Sequence, residues 1–183
     1  IDEVISTESS ISDPELSKDS ELSDIKGIIR FEDVHFSYPY AEKKVLENIN
    51  FVLEPGKTLA VIGSTGCGKS TLLQLILRFY DVTEGRITLD GIDIREISQH
   101  TLHKHIGYIP QQGVLFSGSI ESNLKFGGDN ISDESMMAAA DIAQASDFIE
   151  AKSEKYQSSI AQDGSNVSGG QRQRLAIARA IAK

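Results

Sequence analysis

Short apolar segments separated by polar turns run through the first 110 residues and predict a small sheet. Residues 28–38 largely alternate apolar and polar side chains, and residues 50–53 and 86–90 are further short segments of this kind. Because a period of two places successive side chains on opposite faces, these segments predict half-buried strands. Asp90-Gly91 directly follows one of them and is a strong hairpin signal, with a return strand through Ile94.

Two other segments, residues 57–62 and 106–110, are mostly apolar without alternation. A short apolar segment bounded by turn residues is typical of a strand that is covered on both faces. We therefore predict two buried strands here.

Helical periodicity first appears after residue 69 and dominates from Ile120 onward. Ser132 and Asp133 are predicted N-caps. Residues 158–167 are rich in Gly, Ser, Asn and Gln and predict a loop. The predicted helices span residues 70–80, 101–105, 123–126, 132–145, 146–152 and 171–182.

The sequence Gly63-Ser64-Thr65-Gly66-Cys67-Gly68-Lys69-Ser70 joins a predicted buried strand to a predicted helix. It matches G-x-x-x-x-G-K-[ST], the phosphate-binding loop, in the strand–loop–helix order which that loop requires. Glycines let successive backbone N–H groups face phosphate oxygens, and the dipole of the following helix favours the same anion. We expect Lys69 to bind the β- and γ-phosphates and Ser70 to bind Mg²⁺.

A second anion-binding feature, Val167-Ser168-Gly169-Gly170-Gln171, precedes the last predicted helix. Ser168 can cap that helix, and the two glycines expose backbone N–H groups at its positive end. Ser-Gly-Gly is also an ordinary loop sequence. The segment becomes informative through the residues that continue it, QRQRLAIARA at 171–180.

Composition narrows the classes of function. The 183 residues are 39% hydrophobic and 25% charged, as in a globular chain with a core. A net charge of −9 argues against nucleic acid as the main partner, and a single cysteine excludes an internal disulfide. Residues 1–26 hold eight acidic residues and two lysines and predict an acidic linker, with ordered structure starting near Gly27.

Five motifs in register resemble the nucleotide-binding domain of an ATP-binding cassette (ABC) transporter, of the exporter type fused behind a transmembrane domain. Tyr38, in Phe36-Ser37-Tyr38, resembles the aromatic residue that stacks on adenine. Residues 63–70 resemble Walker A, and Gln111 resembles the Q-loop glutamine. Residues 114–120 resemble the exporter sequence after that glutamine. Residues 168–171 resemble the signature that closes on the γ-phosphate held by the opposite domain.

The resemblance implies an α/β fold of the P-loop NTPase class. It has a RecA-like parallel core, an antiparallel β subdomain, and a helical signature subdomain at about residues 112–170. Residues 1–26 would be the acidic linker from a transmembrane domain. Residues 27–183 would be the N-terminal portion of the ATP-binding domain, with its C-terminal part missing.

The resemblance also implies a function, cofactors and partners. ATP binding and hydrolysis would power export of a solute, with ATP and Mg²⁺ as cofactors, Lys69 and Gln111 catalytic, and Ser70 and Gln111 on the metal. The partners would be a transmembrane domain and a second nucleotide-binding domain, head to tail, at the cytoplasmic face of the cell membrane. The implied nucleotide-binding residues are Tyr38, Val45, Gly63, Ser64, Thr65, Gly66, Cys67, Gly68, Lys69, Ser70, Thr71, Ser168, Gly169, Gly170 and Gln171.

The family's Walker B aspartate, catalytic glutamate, D-loop and switch histidine follow the signature helix and do not occur in these 183 residues. The chain also begins without Met, as a piece of a longer protein would. We expect the chain alone to bind nucleotide poorly, to hydrolyse almost none, and to expose apolar surface at its sheet.

Two other functions stay open at this level. One is a degenerate regulatory half of a heterodimeric transporter, which binds ATP and hydrolyses little. The other is a soluble ATP switch of the DNA-repair or translation type, although residues 36–38, residues 115–118 and the acidic charge favour a transporter. Val167 and Gln162 depart from the family pattern, where Leu and an acidic residue are usual.

Overall fold

The structure is a computed structural model that describes residues 9–128 and 130–183. The chain divides into two compact units, and the boundary between them lies between Ile106 and Gly107. Each unit has its own hydrophobic core. Within the described ranges, no helix combines the length and the apolar composition needed to cross a membrane.

An antiparallel sheet with the strand order β2-β1-β3-β4 forms the first unit. The central strand β1 pairs Phe31 with Phe51 of β2 and with Ile87 of β3, and the two Phe rings stack with centroids 4.4 Å apart. The predicted half-buried strands form, although β2 begins before the predicted residue 50 and β4 ends before Ile94, which starts a 3₁₀ turn. Their bounds are β1 (Ile29–Phe36), β2 (Leu46–Leu53), β3 (Glu84–Leu89) and β4 (Ile92–Asp93).

The predicted hairpin between β3 and β4 is confirmed. Asp90 and Gly91 have φ of 52° and 89°, as a two-residue turn with positive φ at both positions requires. Helices α1 (Lys69–Ile76) and α2 (Gln99–Lys104) complete the unit. Helix α1 ends earlier than predicted because Arg78 adopts φ of 52° and leaves the helical path.

The two predicted buried strands, residues 57–62 and 106–110, are wrong for this chain. Neither segment forms a strand, and most of their apolar side chains are exposed, with Ile62 92% exposed and Ile109 43% exposed, whereas Ile106 is half-buried. A strand is stable only within a sheet, and neither sheet formed by the described residues includes either segment. The parallel core expected from the resemblance is therefore not formed by the described residues.

The acidic segment before β1 is folded onto the first unit, and we name residues 12–22 the N-terminal strap. Leu22 ends a 3₁₀ turn (Asp19–Leu22) and is buried in the core. The buried Arg78 guanidinium donates to the Ser12 carbonyl oxygen at 3.0 Å. Ordered structure thus starts before Gly27, contrary to the prediction, because acidic composition reports mean polarity and not specific contacts. Residues 1–8 of the predicted linker lie outside the described residues.

Asp19 of the strap binds the beginning of α2. Its carboxylate accepts the Ser98 backbone N–H at 2.9 Å and the hydroxyls of Ser98 and Thr101 at 2.6 and 2.9 Å. These hydrogen bonds hold the pKa of Asp19 below its usual value. The hydrogen bond from the Ser98 side chain has the largest effect. A carboxylate in this position also interacts favourably with the helix dipole.

We expect Asp19→Asn to lower the free energy of unfolding at neutral pH by about 1 kcal/mol, because it weakens the charge-assisted hydrogen bonds to the Ser98 N–H and the two hydroxyls. Because the folded-state pKa is depressed, this stability is present above the unfolded pKa of about 4 and is lost as pH falls through the folded value. Urea unfolding at neutral pH and at about pH 2 should show the difference shrinking in acid. The exposed Asp24→Asn variant is the control, and an equal loss there would contradict the assignment.

The second unit is built around the long helix α6 (Gly169–Ala182), which packs against α3 (Ile120–Lys125) and α4 (Asp133–Ile142). The predicted cap Ser132 is confirmed, since its hydroxyl accepts the Ser135 N–H, whereas Asp133 is the first helical residue and not a cap. A short antiparallel pair joins β5 to β6, which lie on either side of three helices in the sequence. The elements are β5 (Gly118–Ser119), α3 (Ile120–Lys125), α4 (Asp133–Ile142), α5 (Ser146–Glu150), β6 (Ser159–Ile160) and α6 (Gly169–Ala182).

Candidate functional site

Glycine gives the loop at residues 63–70 its shape. Gly66 and Gly68 have φ of 85° and 91°, a region that other residues rarely adopt. Gly68 is the N-cap of α1. A Cβ there would lie 3.3 Å from Val45 and closer still to the side chain of Leu46, the first residue of β2. A Cβ at Gly63 would lie 2.4 Å from the Cys67 Sγ. The chain folds tightly here only because these positions lack side chains.

Lys69 reaches back across this loop. Its ammonium donates to the carbonyl oxygens of Gly63 and Ser64 at 2.9 and 2.7 Å and lies 3.6 Å from the Cys67 Sγ. A positive charge therefore lies within the glycine-rich loop, directly before the N-terminus of α1. This combination suits a phosphate group.

Tyr38 lies against α1, beside the same loop. Its hydroxyl is 2.9 Å from the Thr71 Oγ1 and donates to the Gln74 Oε1 at 3.1 Å. Phe36 and Tyr80 meet the ring edge to face, with centroids 4.9 and 5.2 Å away. The half-buried aromatic ring is thus fixed next to the start of the phosphate loop's helix.

The predicted signature segment begins helix α6, two residues earlier than the sequence predicted. The Ser168 hydroxyl accepts the Gln171 N–H at 3.2 Å, and the Gln171 side chain accepts the Ser168 N–H at 3.1 Å. This reciprocal capping box fixes the helix start. A Cβ at Gly169 or Gly170 would meet nothing within 4 Å, so packing within the unit does not require glycine there. Open backbone at a helix N-terminus is accessible to an anionic ligand.

A cavity of 540 Å³ opens beside the signature in the second unit. Gln111, Asp163, Gly169 and Arg172 are among its lining residues. Arg172 donates to the Asp163 carbonyl oxygen at 2.9 Å, which holds its guanidinium at the cavity wall. Gln111 itself is exposed and lies in an irregular segment.

The predicted site residues fall into two groups. Tyr38, Val45 and residues 63–71 lie in the first unit, whereas Gln111 and residues 168–171 lie in the second. No group of three His, Cys, Asp or Glu side chains among the described residues could hold a metal ion. Mg²⁺ bound with a nucleotide keeps water and phosphate oxygens as ligands, so a hydroxyl such as that of Ser70 fits the small protein contribution it needs.

Sequence reasoning missed two polar residues that organise the second unit, Asn123 and Arg179. Asn123 is buried on α3, and Arg179 lies among apolar residues on α6. A polar side chain inside an apolar helical face was the available signal, since such a group must find hydrogen-bond partners when it is buried.

Comparison with known proteins gives consistent matches. The family model described as ABC transporter matches residues 46–183. The chain is 48% identical over 164 residues to Multidrug resistance protein 1 of Entamoeba histolytica, covering 87% of this chain and 13% of that protein. It is 46% identical over 158 residues to the ATP-dependent lipid A-core flippase of Saccharophagus degradans, covering 86% of this chain and 27% of that protein.

A solved structure is similar throughout. A bacterial Atm1-family ABC exporter with ATP bound superposes with a TM-score of 0.89 at 35% identity, covering 98% of this chain and 31% of that chain. The chain thus spans less than a third of the length of these three proteins.

Proposed function

Because this chain belongs to the ABC transporter family, we propose that it binds MgATP and serves as the ATP-binding part of a membrane exporter. The observation that carries the proposal is the geometry of residues 63–70. The Lys69 ammonium, the glycine-shaped backbone and the N-terminus of α1 lie together in this loop. Family membership makes this loop a P-loop of the NTPase class.

The residues around the P-loop fit the parts of a nucleotide. The Tyr38 ring would face the adenine, and Lys69 with the loop N–H groups would bind the phosphates. Ser70 and Gln111 would contribute oxygen atoms to Mg²⁺, which neutralises phosphate charge when bound. A glutamine amide oxygen is a weak ligand and is released easily, which suits a residue that reports on the nucleotide.

We propose that two such domains act together, head to tail. Residues 168–171 of one domain would contact the γ-phosphate held by residues 63–70 of the other. The open backbone of Gly169 and Gly170 supports this role. The γ-phosphate would then favour the closed dimer, because only the closed state offers it this second set of contacts.

The partner in the membrane is part of the same proposal. A fused or associated transmembrane domain would lie upstream of the N-terminal strap and place this domain at the cytoplasmic face of the membrane. The names of the relatives, a multidrug resistance protein and an ATP-dependent flippase, favour an ATP-driven exporter over a regulatory half.

Equilibrium binding of MgATP to the chain, compared with the Lys69→Ala variant, tests the proposal. Saturable binding that the variant lacks supports it. Equal binding by both proteins refutes it.

We expect the 183-residue chain alone to release almost no phosphate from MgATP. Hydrolysis needs a group that orients the attacking water and complete coordination of Mg²⁺, and the family motifs that supply these groups do not occur in these residues. A phosphate-release assay with and without Mg²⁺ measures this. Metal-dependent turnover that disappears in Lys69→Ala would contradict the expectation.

A further inference from the structure

Asn123 holds the segment that follows Gln111. Its side chain is 1% exposed. Its Oδ1 accepts the Phe116 N–H at 2.8 Å, and its Nδ2 donates to the carbonyl oxygens of Phe116 and Ser119 at 2.8 and 3.0 Å. One buried amide thus satisfies both backbone groups of Phe116, as a neighbouring strand would.

Arg179, three turns along α6 from the signature, binds the same segment. It donates to the carbonyl oxygens of Asn123 and Val114 at 2.8 and 2.9 Å and to the Asn123 Oδ1 at 2.8 Å. The guanidinium also lies over the Phe116 ring, 5.2 Å from its centroid. Burial lowers the pKa of Arg179, and these hydrogen bonds all go to neutral oxygen atoms. A charged donor in a partly desolvated place makes stronger hydrogen bonds than a neutral one.

The chain before Val114 also follows α6 closely. A Cβ at Gly113 would lie 3.0 Å from the Arg172 carbonyl oxygen, and a Cβ at Gly107 would lie 2.9 Å from that of Ala180. Residues 107–114 therefore run along α6 from its last turn toward its first. Gln111 lies within this stretch.

We propose that Asn123 and Arg179 are positioning residues that fix residues 111–119 to α6, so that Gln111 and the signature at residues 168–171 move as one body. The proposal rests on the proposed function for the roles of Gln111 and the signature. A contact of the membrane partner or of Mg²⁺ with Gln111 would then shift the signature directly. Without Asn123 and Arg179, residues 111–119 would move while the signature at residues 168–171 stayed in place.

Hydrogen exchange of the 183-residue chain, at low concentration and resolved to single amides, tests this without nucleotide. We expect Asn123→Ala and Arg179→Met each to speed exchange of the Phe116 amide at least about tenfold, since each removes buried or charged hydrogen bonds. The Gln171 amide, held by Ser168, should not change.

Asn123→Asp is the conservative variant that should restore part of the protection. Its carboxylate still accepts the Phe116 N–H and pairs with Arg179 but no longer donates to the carbonyl oxygens of Phe116 and Ser119, so exchange of the Phe116 amide should be slower than in Asn123→Ala and faster than in the original chain. Arg174→Met is the matched control. It removes an arginine from the same helix that donates instead to the Gln144 carbonyl oxygen, and it should leave Phe116 unchanged.

Two results would overturn the proposal. One is an unchanged Phe116 amide in Asn123→Ala or in Arg179→Met. The other is faster exchange that appears equally at Gln171 and at the Met136 amide of α4, which would show only loss of stability across the unit. Failure of the proposed function would appear separately, as loss of MgATP binding to the unaltered chain.

Discussion

Replacing Lys69 by alanine is expected to weaken MgATP binding about a hundredfold, because hydrogen bonds from a cation to phosphate are each worth about 1.5–3 kcal/mol. The Lys69 side chain places its ammonium over residues 63–70. Its hydrogen bonds to two loop carbonyl oxygens show that this side chain is long enough to reach across the loop. Removal of the Lys69 side chain also eliminates the two hydrogen bonds from its ammonium to the loop carbonyl oxygens. Isothermal titration with MgATP, at equal salt for both proteins, measures the loss.

Lys57→Ala is the matched control for this prediction. Lys57 is exposed, lies six residues before the loop, and carries the same charge. Its replacement should leave the affinity within about twofold, since an exposed charge at that distance is largely screened by salt. Urea unfolding of each variant checks that the fold is intact. Equal MgATP affinities for Lys69→Ala and the original chain would contradict the assignment of residues 63–70 as the phosphate-binding loop.

Replacing Gly85 by alanine is expected to lower the free energy of unfolding by about 4 kcal/mol, from backbone strain and overpacking together. Gly85 has φ of 80°, and a Cβ there would lie 2.2 Å from the Asp33 carbonyl oxygen and 2.5 Å from that of Glu32. These are backbone atoms of β1, at the point where its register with β3 shifts. Neither strand can move without breaking the sheet, so the clash is not relieved by a side-chain rotation.

Gly91→Ala separates the two causes. Gly91 has φ of 89°, and a Cβ there would meet nothing within 4 Å. The Gly91→Ala variant therefore has backbone strain without overpacking. We expect its free energy of unfolding to be lower by about 1–2 kcal/mol. Urea unfolding followed by circular dichroism gives both values. Similar losses for the two variants would mean that β1 and β3 are not packed as described.

The strands of the first unit were predictable because their signal is local. In β1 the alternation from Ile29 to Phe36 reflects burial on one face, and in the β3–β4 turn Asp90-Gly91 supplies the required positive φ. Capped helices were predictable for the same reason, as Ser132 and Ser168 show. Helix ends were less predictable, since the end of α1 depends on the turn at Arg78.

The candidate site shows the same division. Residues 63–70 were found from spacing, because a phosphate-binding backbone needs glycines at fixed intervals next to a helix start. Residues 168–171 became informative only through the residues that follow them and the family resemblance that these carry. Asn123 and Arg179 were missed because their partners, Phe116 and Val114, lie seven and 65 residues away in sequence. The polar side chains in apolar helical faces indicate that partners are needed, but no local pattern identifies which residues those partners are.

The sequence by itself determined the half-buried strands of the first unit and the presence of the main helices, since these depend on neighbouring side chains and backbone freedom. It also identified residues 63–70 as the candidate anion site. Only the tertiary structure decided the rest. It folded the acidic strap onto α2 and Arg78, and it left residues 57–62 and 106–110 outside any sheet. The reason is that a carboxylate needs a specific donor and a strand needs a specific neighbour. Such partners come from distant parts of the chain, so a segment's own composition does not reveal whether they are present.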